Sequence, residues 1–211
     1  MIAWVALLCS LLLLIGCQEQ GKGVFIDDLN SIKKNFLLSI VQENAEESPF
    51  RIDYSLRTVF FSKDVVSLFG EIEVYEHLPH IWTRYEGQTL FKNHGKFQEV
   101  KLGDLFPTPK QKEFLRKYCE DDLKTQSVSY FFGNNPLHTT IRQEDIHLFV
   151  LDDEFLIIFF QPYTVGGLGD GPFHVKIPYE TLKKESEASH LLQSLINKIG
   201  SSKDYTSSWD Y

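Results

Sequence analysis

Apolar positions follow three successive rhythms along this chain. Ile2 to Ile15 form an apolar run of 14 positions broken only by Ser10. From Leu29 the spacing becomes helical: Leu29, Ile32, Phe36, Ile40 and Val41 share one face, with Asp27-Asp28 as an N-cap cluster and Pro49 beyond the end. A period of two follows. Ile52, Tyr54, Leu56, Thr58 and Phe60 alternate, Lys63-Asp64 suits a turn, and Val66, Leu68, Gly70, Ile72 and Val74 alternate again. Further strands are expected from Ile81 to Phe91 and from Phe97 to Leu102, around a turn at Asn93-His94-Gly95.

In the second half, a helix is predicted from Pro109 to Leu123, followed by a loop at Gly133-Asn134-Asn135-Pro136. His147 to Leu151 and Phe155 to Phe160 flank Asp152-Asp153, which predicts a tight hairpin. Both runs are apolar at consecutive positions, so the hairpin is expected to be central and covered on both faces. Val175 to Ile177 give a short last strand. Tyr179 to Lys198 carry Leu182, Leu191, Leu192, Leu195 and Ile196 as one or two closing helices. The pattern is α+β: mainly antiparallel sheets around a buried hairpin, an N-terminal helix and C-terminal helices.

The first run is shorter than the roughly 20 residues that cross a bilayer core of about 30 Å. It reads as the hydrophobic region of a signal peptide. Leu14-Ile15-Gly16-Cys17 has the form of a bacterial lipobox: an apolar residue, a tolerated position, a small residue that admits the peptidase, then cysteine. Cys17 is the expected lipidation site. Each buried methylene contributes about 0.8 kcal/mol, so two or three acyl chains, palmitate among them, anchor a protein where one does not. Met1-Ile2-Ala3-Trp4 lacks the usual Lys or Arg, and Gln18 follows the anchor. By resemblance to Gram-negative lipoproteins, the lack of Asp at that position favours the outer membrane, facing the periplasm.

The expected organisation is a signal peptide at 1–16, a lipidated Cys17 and tether at 17–24, and a companion region of helix and first strands at 25–65. A main α+β domain at 66–200 and a polar tail at 201–211 complete it.

Composition narrows the function. The 211 residues are 43% hydrophobic, 14% aromatic and 24% charged, with 29 acids against 21 bases and a net charge of −8. That balance argues against nucleic acid and favours cationic partners through long-range attraction. With Cys9 in the signal and Cys17 lipidated, Cys119 is the remaining thiol, expected to be buried on a helix and structural. The Gly-x-Ser-x-Gly elbow, His-Glu-x-x-His, Cys-x-x-Cys and P-loop patterns are all missing. Gly166-Gly167-Leu168-Gly169-Asp170-Gly171 precedes Pro172 and a strand instead of a helix, so it reads as a structural loop. No catalytic residue, metal or cofactor is assigned. His77 and His80 flank Leu78-Pro79, with Tyr75, Trp82 and Tyr85 nearby, a composition suited to stacking on sugars or gripping a protein.

Three stretches also resemble a known family. Val66-Ser67-Leu68 and the alternating run to Tyr75 resemble its opening strand, and Lys101-Leu102-Gly103-Asp104-Leu105-Phe106 resembles its L-x-DLF signature. Phe159-Phe160-Gln161-Pro162-Tyr163 through Gly171, then Val175-Lys176-Ile177-Pro178-Tyr179, resemble its F-x-PY…G…IPY ending. The family is the domain of unknown function at the C-terminal end of the anti-sigma factor RsiV, also found in envelope lipoproteins and peptidoglycan deacetylases. Where it carries Gly-Gly-Ala-His, this chain has Glu76-His77-Leu78-Pro79-His80, keeping only His80 in register.

The resemblance implies an extracytoplasmic α+β domain. An anti-sigma role is not expected, because no membrane-spanning or cytosolic segment is recognised. The expected function is that of a lipid-anchored, non-enzymatic envelope module binding a cell-wall component or a lysozyme-like cationic protein. Candidate ligand residues are His77, His80, Trp82, Tyr85 and Tyr163. The alternatives are a peptidoglycan hydrolase using His80, His94 and Asp104, or a structural lipoprotein of an envelope complex.

Overall fold

A computed structural model describes residues 23–45, 51–75, 81–126, 141–162, 164–165, 173–185 and 189–202. The chain divides into two compact units, Met1–Glu43 and Asn44–Tyr211. Helix α1 (Gly23–Ala45) starts four residues ahead of Asp27, so Asp27 and Asp28 lie within it rather than capping it. Among the described residues no helix is long and apolar enough to cross a membrane.

The second unit contains two antiparallel sheets. The first has the order β1-β2-β3-β4, formed by Arg51–Phe61, Val65–Tyr75, Ile81–Asn93 and Lys96–Glu99. The expected division between residues 65 and 66 falls at the β1–β2 hairpin, whose strands pair from Arg51↔Tyr75 to Phe61↔Val66 across a bulge at Thr58/Phe60. Ser62 shapes their connection: its hydroxyl oxygen accepts from Val65 N–H at 3.0 Å and Asp64 N–H at 3.3 Å. At the β3–β4 turn, His94 (φ 47°) and Gly95 (φ 81°) both adopt left-handed backbone. That pair makes a two-residue turn whose twist matches the strands.

Leu102, expected to end a strand, instead opens the short helix α2 (Leu102–Leu105). The cause is local: the Asp104 carboxylate accepts from the Lys101 N–H at 2.9 Å and folds the backbone back. Helix α3 (Pro109–Thr125) follows with a reciprocal cap. Gln111 N–H donates to Thr108 Oγ1 at 3.3 Å, and Thr108 N–H to Gln111 Oε1 at 3.0 Å. Pro109 at the first helical position forgoes an N–H that the helix would leave unpaired.

The second sheet has the order β5-β6-β7, formed by Leu148–Leu151, Phe155–Phe159 and His174–Pro178. Its first two strands are the predicted hairpin, and alternation sends their side chains to opposite faces. Phe149, Leu151, Leu156 and Ile158 enter a core with Leu115, Cys119 and Leu123 of α3. Leu148, Val150, Ile157 and Phe159 meet Val59, Phe69 and Tyr85 of the first sheet. Two faces, each covered, account for runs that are apolar at every position. The predicted closing helices are α4 (Tyr179–Glu185) and α5 (His190–Gly200), the latter capped by Ser189 Oγ accepting from Leu192 N–H at 3.2 Å.

Polar contacts lock the two sheets. The buried Ser67 hydroxyl of β2 accepts from Leu151 N–H of β5 at 2.8 Å and lies 3.0 Å from Thr89 Oγ1 of β3. The Gln161 side-chain amide, just past β6, binds Tyr85 of β3 twice, accepting from its N–H at 2.9 Å and donating to its C=O at 2.6 Å. A carboxamide presents the same donor and acceptor as a peptide group, so Gln161 substitutes for a neighbouring strand at this point. Gly87 of β3 provides the clearance: a Cβ there would stand 2.7 Å from Leu148 Cδ1 and 2.9 Å from the Phe149 carbonyl oxygen. Replacing Gln161 by Ala strands two backbone groups in a half-buried position. A loss of about 1–3 kcal/mol is expected in denaturant unfolding, and a loss under about 0.5 kcal/mol would show that water replaces the clamp.

The β5–β6 turn is held from both sides. Asp152 Oδ1 accepts from Glu154 N–H at 2.8 Å and from Phe155 N–H, while Tyr179 O–H donates to the Asp152 carbonyl at 2.7 Å. Burial pushes the Asp152 carboxyl above its ordinary range, outweighing those amide bonds. The folded protein therefore keeps this proton to higher pH than the unfolded chain does. Asp152 stabilises the fold below the ordinary carboxylate range, and that contribution is lost as pH rises through its folded value. Asp152→Asn keeps an acceptor oxygen but does not ionise. Its stability relative to the parent should rise between acidic and neutral pH, and thermal unfolding with no such crossover would contradict this.

Candidate functional site

Of the five ligand candidates, Tyr85 is the one whose side chain is among the described residues. Cys17, His77, His80 and Tyr163, with the loop from Gly166 to Gly171, lie outside those residues. Trp82 sits on β3 opposite Val74, and the description there covers its backbone only. Tyr85 lies in the interior, 5% exposed, its ring stacked 5.6 Å from Phe69. His94 is exposed at the β3–β4 tip, while Asp104 is occupied in folding α2. Among the described residues no three His, Cys, Asp or Glu side chains gather as metal ligands. Cys119 is fully buried, and burial, reinforced by Asp122, pushes its thiol far above the ordinary range, so it stays protonated.

A groove forms elsewhere, at the end of β4, with a volume of about 410 Å³. This lies within the range of about 300–1,000 Å³ typical of small-ligand sites. Its floor is apolar: Val100, Phe106, Leu115, Ile146 and Phe149 line it and are all buried. Its mouth is polar, with Glu99, Lys101 and His147 exposed and Lys112 half-buried.

Each of these positions follows from local structure. Val100 N–H donates to Thr89 O at 2.8 Å, continuing the β3–β4 pairing and turning Val100 inward between Glu99 and Lys101. The Asp104 fold-back then carries the chain through Gly103 to Phe106. Lys112, in the first turns of α3, is fixed by its N–H bond to Thr108 O at 3.0 Å. A 3₁₀ turn (Gln143–Asp145) aims Ile146 at the floor and His147 at the mouth. His147 Nδ1 lies 3.0 Å from the Glu144 carbonyl oxygen. A carbonyl only accepts, so Nδ1 carries hydrogen, and Nε2 is left as an acceptor.

Sequence reading passed over this site because its parts lie on separate segments: the end of β4, the first turns of α3 and the approach to β5. The one usable signal was Lys101-Leu102-Gly103-Asp104-Leu105-Phe106, which supplies four lining residues. Chemically, the groove suits holding a ligand whose apolar part meets the floor and whose polar part meets the mouth. Among its described lining residues there is no Ser, Thr, Cys, Tyr or Asp.

Residues 103–180 match the family described as a protein of unknown function, DUF3298. Among solved structures, the fold resembles the crystal structure of a DUF3298 family member from Bacteroides fragilis. The TM-score is 0.55 at 14% identity, over 86% of this chain and 75% of that one. No curated protein matches the chain.

Proposed function

We propose that this chain is a lipid-anchored protein of the bacterial cell envelope whose α+β domain, of the type that ends RsiV, binds a cell-wall component without transforming it. The groove carries this reading: an apolar floor and polar mouth suit holding a ligand. The lipobox ending at Cys17 supports the anchor, and Gln18 supports the outer membrane. The net charge of −8 favours a second reading, capture of a lysozyme-like cationic protein on the acidic surface as a whole.

Calorimetric titration with soluble peptidoglycan fragments and with lysozyme tests both. Binding of fragments supports the first reading, and binding of lysozyme alone supports the second. No binding of either below millimolar concentration overturns both, while release of cleaved fragments overturns the non-enzymatic assignment. Labelling with radioactive palmitate checks the anchor: Cys17→Ser is expected to abolish incorporation, and label retained in that variant removes Cys17 as the site.

A further inference from the structure

The lysines at the groove mouth, like Lys63, Lys96, Lys117 and Lys184, have no ion pair among the described residues, whereas several cations do. Arg116 binds Glu113 and Glu120; Lys124 binds Glu120 and Asp121; Arg142 binds Asp145. Lys183 binds Glu180, and Lys198 binds Asp64. With 29 acids to 21 bases, such pairing is easy to satisfy. Yet among the described residues neither Lys101 nor Lys112 has an ion-pair partner, and Glu99 is the one carboxylate lining the groove beside them. His147 adds a ring whose Nε2 is left without a described partner. The mouth is thus locally cationic on an acidic protein, above a floor sealed by Phe106 and Phe149, 1% and 5% exposed.

Resting on the reading of this domain as a binding module, we infer that the groove selects a ligand bearing a free carboxylate beside a small apolar group. Lys101 and Lys112 pair with the carboxylate and the floor receives the apolar group. The floor aromatics are too buried to offer a ring face, so sugar stacking is not the mode of recognition here. Methyl-sized groups next to an acid, as in an alanyl carboxylate or a lactyl ether, match both halves of the groove. Two partly exposed ammonium groups also make binding sensitive to salt. A cationic protein would meet repulsion at this mouth, so the inference separates the two occupants considered above.

The test uses the full-length protein in detergent micelles, titrated with soluble disaccharide-peptide fragments of peptidoglycan. Their carboxylates are either free or converted to methyl amides. Free fragments are expected to bind, with amidation weakening them about tenfold or more, the loss of a charge-assisted hydrogen bond. Lys101→Glu and Lys112→Glu should each weaken the free fragments by a similar factor. Lys112→Gln, which keeps the length without the charge, should fall between Lys112→Glu and the parent. Matching thermal unfolding of the variants establishes that they fold. Equal binding of free and amidated fragments, or unchanged binding by both charge reversals, overturns the carboxylate site while leaving cell-wall binding intact. Binding of neither form overturns the binding-module reading itself.

Discussion

Phe159→Ala is expected to lower stability by about 3–5 kcal/mol, the range for removing a fully buried aromatic side chain. Phe159 has no exposed surface, and its ring centroid lies 4.3 Å from Phe69 and 5.7 Å from His174. It fills the space between the two sheets from the central strand of the second. Neighbours anchored in β2 and β7 have little freedom to collapse into the void, which places the cost toward the upper end. Urea unfolding measures it, with an unchanged slope indicating that the folded state keeps its extent. A loss under about 1.5 kcal/mol would mean that the sheets repack around the gap or are not closely packed there.

Ser67→Ala is the second large effect, although it removes a single oxygen. The hydroxyl accepts from Leu151 N–H and shares a hydrogen bond with Thr89 Oγ1, so its loss leaves a buried amide and a buried hydroxyl each without its partner. Each stranded group costs about 1–3 kcal/mol, giving an expected loss of about 2–4 kcal/mol. Adding Thr89→Val removes one of them. The double variant should therefore be less destabilised than the sum of the two single changes, by about 1 kcal/mol or more. Additive losses would show that Ser67 and Thr89 act independently.

The strands were legible because each burial demand left a local trace. Alternation shows as alternating burial at Tyr54 to Thr58 and Gly70 to Tyr75, while Val65 to Gly70 is buried at every position, Ser67 and Phe69 facing the second sheet. The unbroken apolar hairpin announced a sheet covered twice, and Pro109 marked where α3 begins. Leu102 was misread because the decisive interaction, Asp104 to the Lys101 amide, belongs to a four-residue helix too short to show a period. At α1 the acidic pair suggested a cap where the helix already continues.

The site was less legible for a different reason. Tyr85 stood among the ligand candidates because composition does not say which side of a strand faces the other sheet. The roles of Ser67, Gln161 and Gly87 arise only when residues 84, 76 and 61 positions away come into contact. No periodicity encodes such a pairing. The groove has the same character, its apolar floor being indistinguishable in sequence from the core it borders.

The Gln161 clamp and the Ser67 bond place single amide protons under the control of side chains on the opposite sheet. Tyr85 N–H and Leu151 N–H can exchange with solvent deuterium when the sheets part, with every strand-to-strand ladder still intact. Amides inside the β2–β3 ladder need that ladder itself to open. The difference in protection between the two classes therefore measures the free energy of sheet separation apart from unfolding. Gly87 of β3 and Phe149 of β5 both line the groove, so a ligand held there touches the two strands together and should slow exchange at these two amides first.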